Sequence, residues 1–126
     1  MKDYFTQLVD SPIFKGLNPE QLEELLSGKL YRIKSIRKDE YAAFANDRCE
    51  NLMLVMKGSV RGEMTDHSGK VIKIEDIHAP RPIAPAFIFG HNNIYPVDII
   101  GNEPTTLFVL PKETLIQLLQ ENRIVL

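Results

Sequence analysis

The chain has 126 residues, 44% of them hydrophobic and 25% charged, and a net charge of −2, the composition of one ordinary globular domain. It lacks the basic surplus with which nucleic-acid binders displace counterions from phosphates, so direct DNA contact is not expected of it. It also has no apolar run of the ~20 residues needed to span a bilayer and no signal-peptide pattern at its start, and its single cysteine, Cys49, excludes an internal disulfide, which fits a reducing cytoplasm.

The first 28 residues predict helices. Phe5, Leu8 and Val9 fall at helical spacing before Ser11-Pro12 stops the segment. A second helix opens at Asn18-Pro19-Glu20-Gln21, where Asn18 is an N-cap residue, Pro19 suits the first helical position and Gln21 completes a capping box. Leu22, Leu25 and Leu26 form its apolar stripe, and Ser27-Gly28 ends it.

Strands are expected from there on. Leu30 to Ile36 suggests the first, Arg37 to Glu40 a charged turn, and Tyr41 to Phe44 a second short strand. The unbroken apolar run Asn51 to Met56 predicts a strand buried on both faces. Lys57-Gly58 interrupts it and Ser59 to Met64 resumes. Asp66-His67-Ser68-Gly69 reads as a hairpin turn with positive φ at Gly69. Lys70 to Ile77 mixes polar and apolar residues in the manner of a half-buried strand. Pro80, Pro82 and Pro85 confine their stretch of chain to loop or short edge structure. Val97 to Ile100 and Thr105 to Leu110 predict the last two strands, and a helix opening at Pro111 to Thr114 turns Leu115, Leu118 and Leu119 inward. The fold class expected is mainly β with flanking helices, an antiparallel β-roll or jelly roll forming a single domain over residues 1–126.

Three collinear motifs narrow this further. Ser11-Pro12-Ile13-Phe14-Lys15-Gly16-Leu17 followed by Gln21-Leu22 resembles the entry to cyclic-nucleotide-binding domains, and Asn51 to Val60 (NLMLVMKGSV) resembles the family's strand, Lys-Gly, strand hairpin. Pro111 to Leu119 is similar to its closing helix. Order and spacing agree over residues 11–120, and the chain is most similar to the effector domains of Crp/Fnr-type transcription regulators. The resemblance implies a homodimer in the full-length protein, with a long dimerisation helix and a helix-turn-helix domain beyond Leu126. On this expectation Ile124-Val125-Leu126 begins that helix or is an exposed apolar end that favours weak self-association, and DNA is reached only through the missing domain.

The ligand cassette departs from the family. Cyclic-nucleotide binders hold the phosphate with Gly-Glu-Leu and Arg-Ser-Ala motifs, using backbone N–H groups and an Arg for the charge and the Glu for the ribose. Those positions fall here on Ala84, Pro85 and Ala86, and on Tyr95, Pro96 and Val97. A neutral phenol does not replace a guanidinium against a phosphate, so cyclic AMP and cyclic GMP are not expected as effectors. Arg81 or His91 is the remaining cation candidate. Arg81, Ile83, Ala84, Pro85, Ala86, Phe87, Tyr95, Pro96 and Val97 are the pocket candidates, suited to an apolar or planar effector or simply filling the space.

For haem, His67, His78, His91 and Cys49 are the ligand candidates, with Met53, Met56 and Met64 weaker ones, and none falls at a metal-motif spacing. No nucleophile elbow, phosphate loop or HExxH motif is present, and Glu40, Asp47, Glu50 and Glu63 read as solvated charge, so no enzyme is expected. The function expected is sensing of an unknown small effector, with a stand-alone interaction module carrying a vestigial pocket, or a haem-based gas or redox sensor, as alternatives.

Overall fold

A computed structural model describes residues 2–83 and 93–121. Helices α1 (Lys2–Leu8) and α2 (Pro19–Leu26) flank a short 3-10 turn over Pro12–Phe14. Ser11, whose hydroxyl accepts from the Ile13 N–H at 3.4 Å, caps that turn. The α2 capping box forms as expected, with the Asn18 side chain accepting from the Gln21 N–H at 2.8 Å and the Gln21 side chain accepting from the Asn18 N–H at 2.9 Å. The 3-10 turn is an addition to the sequence reading. Pro12 forbids a continuous helix, yet Ile13 and Phe14 are both buried.

Eight strands come next: β1 (Arg32–Ile36), β2 (Tyr41–Ala43), β3 (Asn51–Lys57), β4 (Ser59–Thr65), β5 (Val71–His78), β6 (Pro82–Ile83), β7 (Asp98–Gly101) and β8 (Thr105–Pro111). They form two four-stranded sheets, β1-β8-β3-β6 and β2-β7-β4-β5, every pair antiparallel. Helix α3 (Lys112–Gln120) closes the fold, and the Thr114 hydroxyl donates to the Leu30 carbonyl at 2.7 Å, tying that helix to the entry of β1.

The first sheet lies inside. β3 has five consecutive buried residues, Leu52 to Met56, because β8 and β6 flank it and helices cover it. Phe14 meets Phe108 of β8 edge to face with ring centres 6.3 Å apart, and Tyr31 packs on the same ring at 5.3 Å. Leu8, Leu22, Leu25, Leu26, Leu115 and Leu118 join this core. Leu119 is only partly buried.

The Lys57-Gly58 interruption has a steric origin. Gly58 has φ +91°, and a Cβ there would lie 2.6 Å from the Thr105 hydroxyl and 2.7 Å from the Pro104 carbonyl. Only glycine permits β3 to turn into β4 while the β7–β8 connection packs this closely.

One expectation fails. β5 is not half-buried: of Val71 to His78 only Ile77 is buried. β5 is the edge of its sheet, so it has one strand neighbour instead of two. A bulge accompanies it, since Gly62 faces Glu75 while Glu63 faces Lys73, leaving Ile74 as the extra residue.

Candidate functional site

The family cassette would lie between β6 and β7. The chain reaches it from β6, where Ile83 faces Met53 and Pro82 faces Leu54. Ala84, Pro85, Ala86, Phe87 and His91 lie outside the described residues. The chain returns through a clamp on the loop before β3. Cys49 N–H donates to the Asn93 carbonyl at 2.6 Å, Tyr95 N–H to the Asp47 carbonyl at 2.9 Å and Asn46 N–H to the Tyr95 carbonyl at 2.8 Å, with an isolated bridge between Arg48 and Ile94. Asn46 at φ 73° lets the loop fold back to make these bonds.

Tyr95, which motif spacing assigns to the family's arginine position, is 5% exposed. Its phenol bonds the thiol of buried Cys49. Burial first, and then the neighbouring thiol, push the phenol well above the ordinary tyrosine range, and burial pushes the Cys49 thiol up as well. Both groups stay neutral and turned into the protein. The one neutral donor that the sequence leaves at this position is thus occupied internally. Pro96 is exposed and supplies no N–H. Val97 is half-buried and packs on β4: its Cγ2 lies 3.2 Å from where a Gly62 Cβ would be. Gly62 therefore admits Val97 to the inner wall of the roll.

The other candidates are dispersed. Ile83 is fully buried core, and Arg81 has an exposed side chain, its backbone holding the Val55 N–H at 2.9 Å and reaching the His78 carbonyl at 3.1 Å. His67 is exposed in the hairpin turn, and His78 is exposed on β5 opposite Ser59. Met53 and Met56 are core residues, whereas Met64 is exposed. Among the described residues no three of His, Cys, Asp and Glu are placed to hold a metal ion. Open grooves lie elsewhere, one of about 400 Å³ between α1, the end of α2 and Tyr31.

Sequence reasoning missed a polar hub on β4. Arg61 donates through Nε to Glu63 at 2.6 Å, through Nη1 to the Gly101 carbonyl at 3.0 Å and Asn102 at 3.2 Å, and through Nη2 to Asp39 at 3.1 Å. Asn102 in turn donates to Ser59 at 3.2 Å and Asp76 at 3.0 Å, and the Ser59 hydroxyl donates to Glu103 at 2.9 Å. Glu63, above all, and Asp39 hold the guanidinium pKa above its ordinary value. Glu63 is therefore not the solvated charge its strand position suggested. Glu40, which accepts from the Arg37 N–H at 2.9 Å, and Asp47, which accepts from Phe44 N–H at 3.3 Å, also close turns.

The two-sheet roll and its flanking helices are the fold of a regulatory ligand-binding domain. The cyclic nucleotide-binding domain model matches residues 33–122, and the chain belongs to that family. Solved structures with this fold include a transcriptional regulator from Thermotoga maritima, at 27% identity over 81% of this chain and 78% of that one, TM-score 0.73. Another is the sensor domain of the transcriptional regulator DNR from Pseudomonas aeruginosa, at 21% identity over 96% and 80%, TM-score 0.80. The Thermus thermophilus catabolite activator protein matches at 20% identity over 88% of this chain, which spans 51% of that protein's length, TM-score 0.73. No curated protein matches the chain in sequence. No helix among the described residues is long and apolar enough to cross a membrane.

Proposed function

We propose that this chain is the effector-sensing domain of a cytoplasmic Crp/Fnr-type transcription regulator, and that its effector is not a cyclic nucleotide. The observation that carries the reading is Tyr95, which motif spacing assigns to the phosphate-binding arginine's position: it is buried, neutral and bonded to Cys49. Val97 over Gly62 narrows the roll on the same side. An apolar effector would bind here without needing a cation, and would act by biasing the packing of a dimerisation helix and DNA-reading domain, as sensing domains do. The role is regulatory rather than catalytic. A vestigial pocket in an interaction module is the second reading, favoured by that same Val97–Gly62 contact. Haem has weaker support, since His67 and His78 are exposed and dispersed while Cys49 is turned inward to Tyr95.

Calorimetry with cyclic AMP and cyclic GMP tests the main claim. A lost arginine–phosphate pair costs on the order of a hundredfold or more in affinity, so no binding is expected at micromolar ligand. Micromolar or tighter binding overturns the proposal.

A further inference from the structure

Strand edges in this fold are short with one exception. β1 offers five residues, β2 three and β6 two. β5 offers eight and, among the described residues, is paired on one side only, by β4. It also exposes apolar side chains between its charges and its bulge: Val71 is 57% exposed, Ile72 40% and Ile74 51%, beside Met64 at 42%. A long apolar edge is a template for another strand.

The charges on β5 specify which strand. A two-fold axis that makes an antiparallel pair sets one residue against its own copy. With Ile74 on the axis, Ile74 meets Ile74, and Lys73 of each copy meets Glu75 of the other. Moving the axis one residue sets Lys73 against Lys73, or Glu75 against Glu75, and like charges directly opposite disfavour pairing. An axis on Ile72 makes no opposite-charge pair. One register thus joins an apolar centre to two symmetric ion pairs. Lys73 and Glu75 are both exposed, and Lys73 also contacts Asp76 of its own chain at 2.6 Å.

We infer that β5 is a homodimer edge: two copies pair antiparallel about Ile74, joining two four-stranded sheets into one of eight. This interface is separate from the helix beyond Leu126 expected from the resemblance. Only about eight residues a side take part, well short of the ~20–30 of a stable interface, so the dimer is weak.

Sedimentation velocity of the 126-residue chain from micromolar to several hundred micromolar tests it, with circular dichroism melts confirming that each variant folds. A concentration-dependent dimer is expected. Lys73→Glu alone and Glu75→Lys alone each weaken it about tenfold, the double swap restores it, and Ile74→Asp abolishes it. A monomer throughout the range overturns the proposal. So does a dimer that Ile74→Asp and both single reversals leave unchanged, or a double swap that fails to recover the loss.

Discussion

β3 and β5 are both long strands rich in aliphatic residues, and they end in opposite environments. β3 buries five residues in a row between β8 and β6, whereas β5 buries one of its eight. Their apolar side chains are alike, Leu, Met and Val on one and Val and Ile on the other, although β5 interleaves them with Lys73, Glu75, Asp76 and His78. The difference lies in what flanks them. Hydrophobicity states what a strand can bury, and strand order decides what it does bury.

Substitutions measure that difference. Leu54→Ala in β3 should cost about 2–5 kcal/mol, while Ile74→Ala in β5 should change stability by less than ~0.5 kcal/mol. Urea unfolding of the monomer measures both, and equal losses would break the contrast. At the joint between the inner and outer sheets, Gly58→Ala combines a left-handed φ with contacts under 3 Å, and should cost more than ~2 kcal/mol.

A smaller effect separates the two ends of the β4–β5 hairpin. Arg61→Met leaves Glu63, Asp39 and the Gly101 carbonyl without their shared donor and should cost about 1–3 kcal/mol. Lys73→Met, on the exposed part of the hairpin, should cost almost nothing. A stability loss at Lys73 comparable to that at Arg61 would show the outer hairpin to be packed in solution.

The smallest effect at neutral pH is at the clamp. Tyr95→Phe removes one buried hydrogen bond, about 1 kcal/mol. Its pH signature is more telling. In the unfolded chain Tyr95 ionises near pH 10, whereas in the fold burial and Cys49 hold its proton to higher pH. Between those values the unfolded state releases a proton that the fold retains, so stability falls as pH rises above about 10. Tyr95→Phe should flatten that alkaline loss, and an unchanged slope would place the phenol in solvent.

Much of this was legible because it is local. The Asn18–Gln21 capping box and the apolar run Leu52 to Met56 are written in neighbouring residues, and the motifs around them, the Lys57-Gly58 break included, pointed to the fold. β5 misled because its periodicity reports its residues and not the missing strand beside it. The clamp and hub were invisible for a related reason. Tyr95 finds Cys49 across the fold, and Arg61 gathers partners from β4 itself, the turn after β1 and the β7 end. No spacing rule links positions brought together only by sheet order. Motif spacing singled out Tyr95, but its commitment to Cys49 required the structure.

The clamp has a consequence for how such a domain diversifies. The stretch between Ile83 and Asn93 is anchored at both ends: β6 pairs with β3 on one side, and Cys49, Asp47 and Asn46 hold Asn93 and Tyr95 on the other. For a stretch whose ends are already pinned, doubling its length adds only ~0.6 kcal/mol of closure cost. If the effector-sensing proposal holds, insertions and wholesale rewriting there would leave the β3–β8 framework untouched, and a lineage could trade one chemical signal for another by editing a single tethered span.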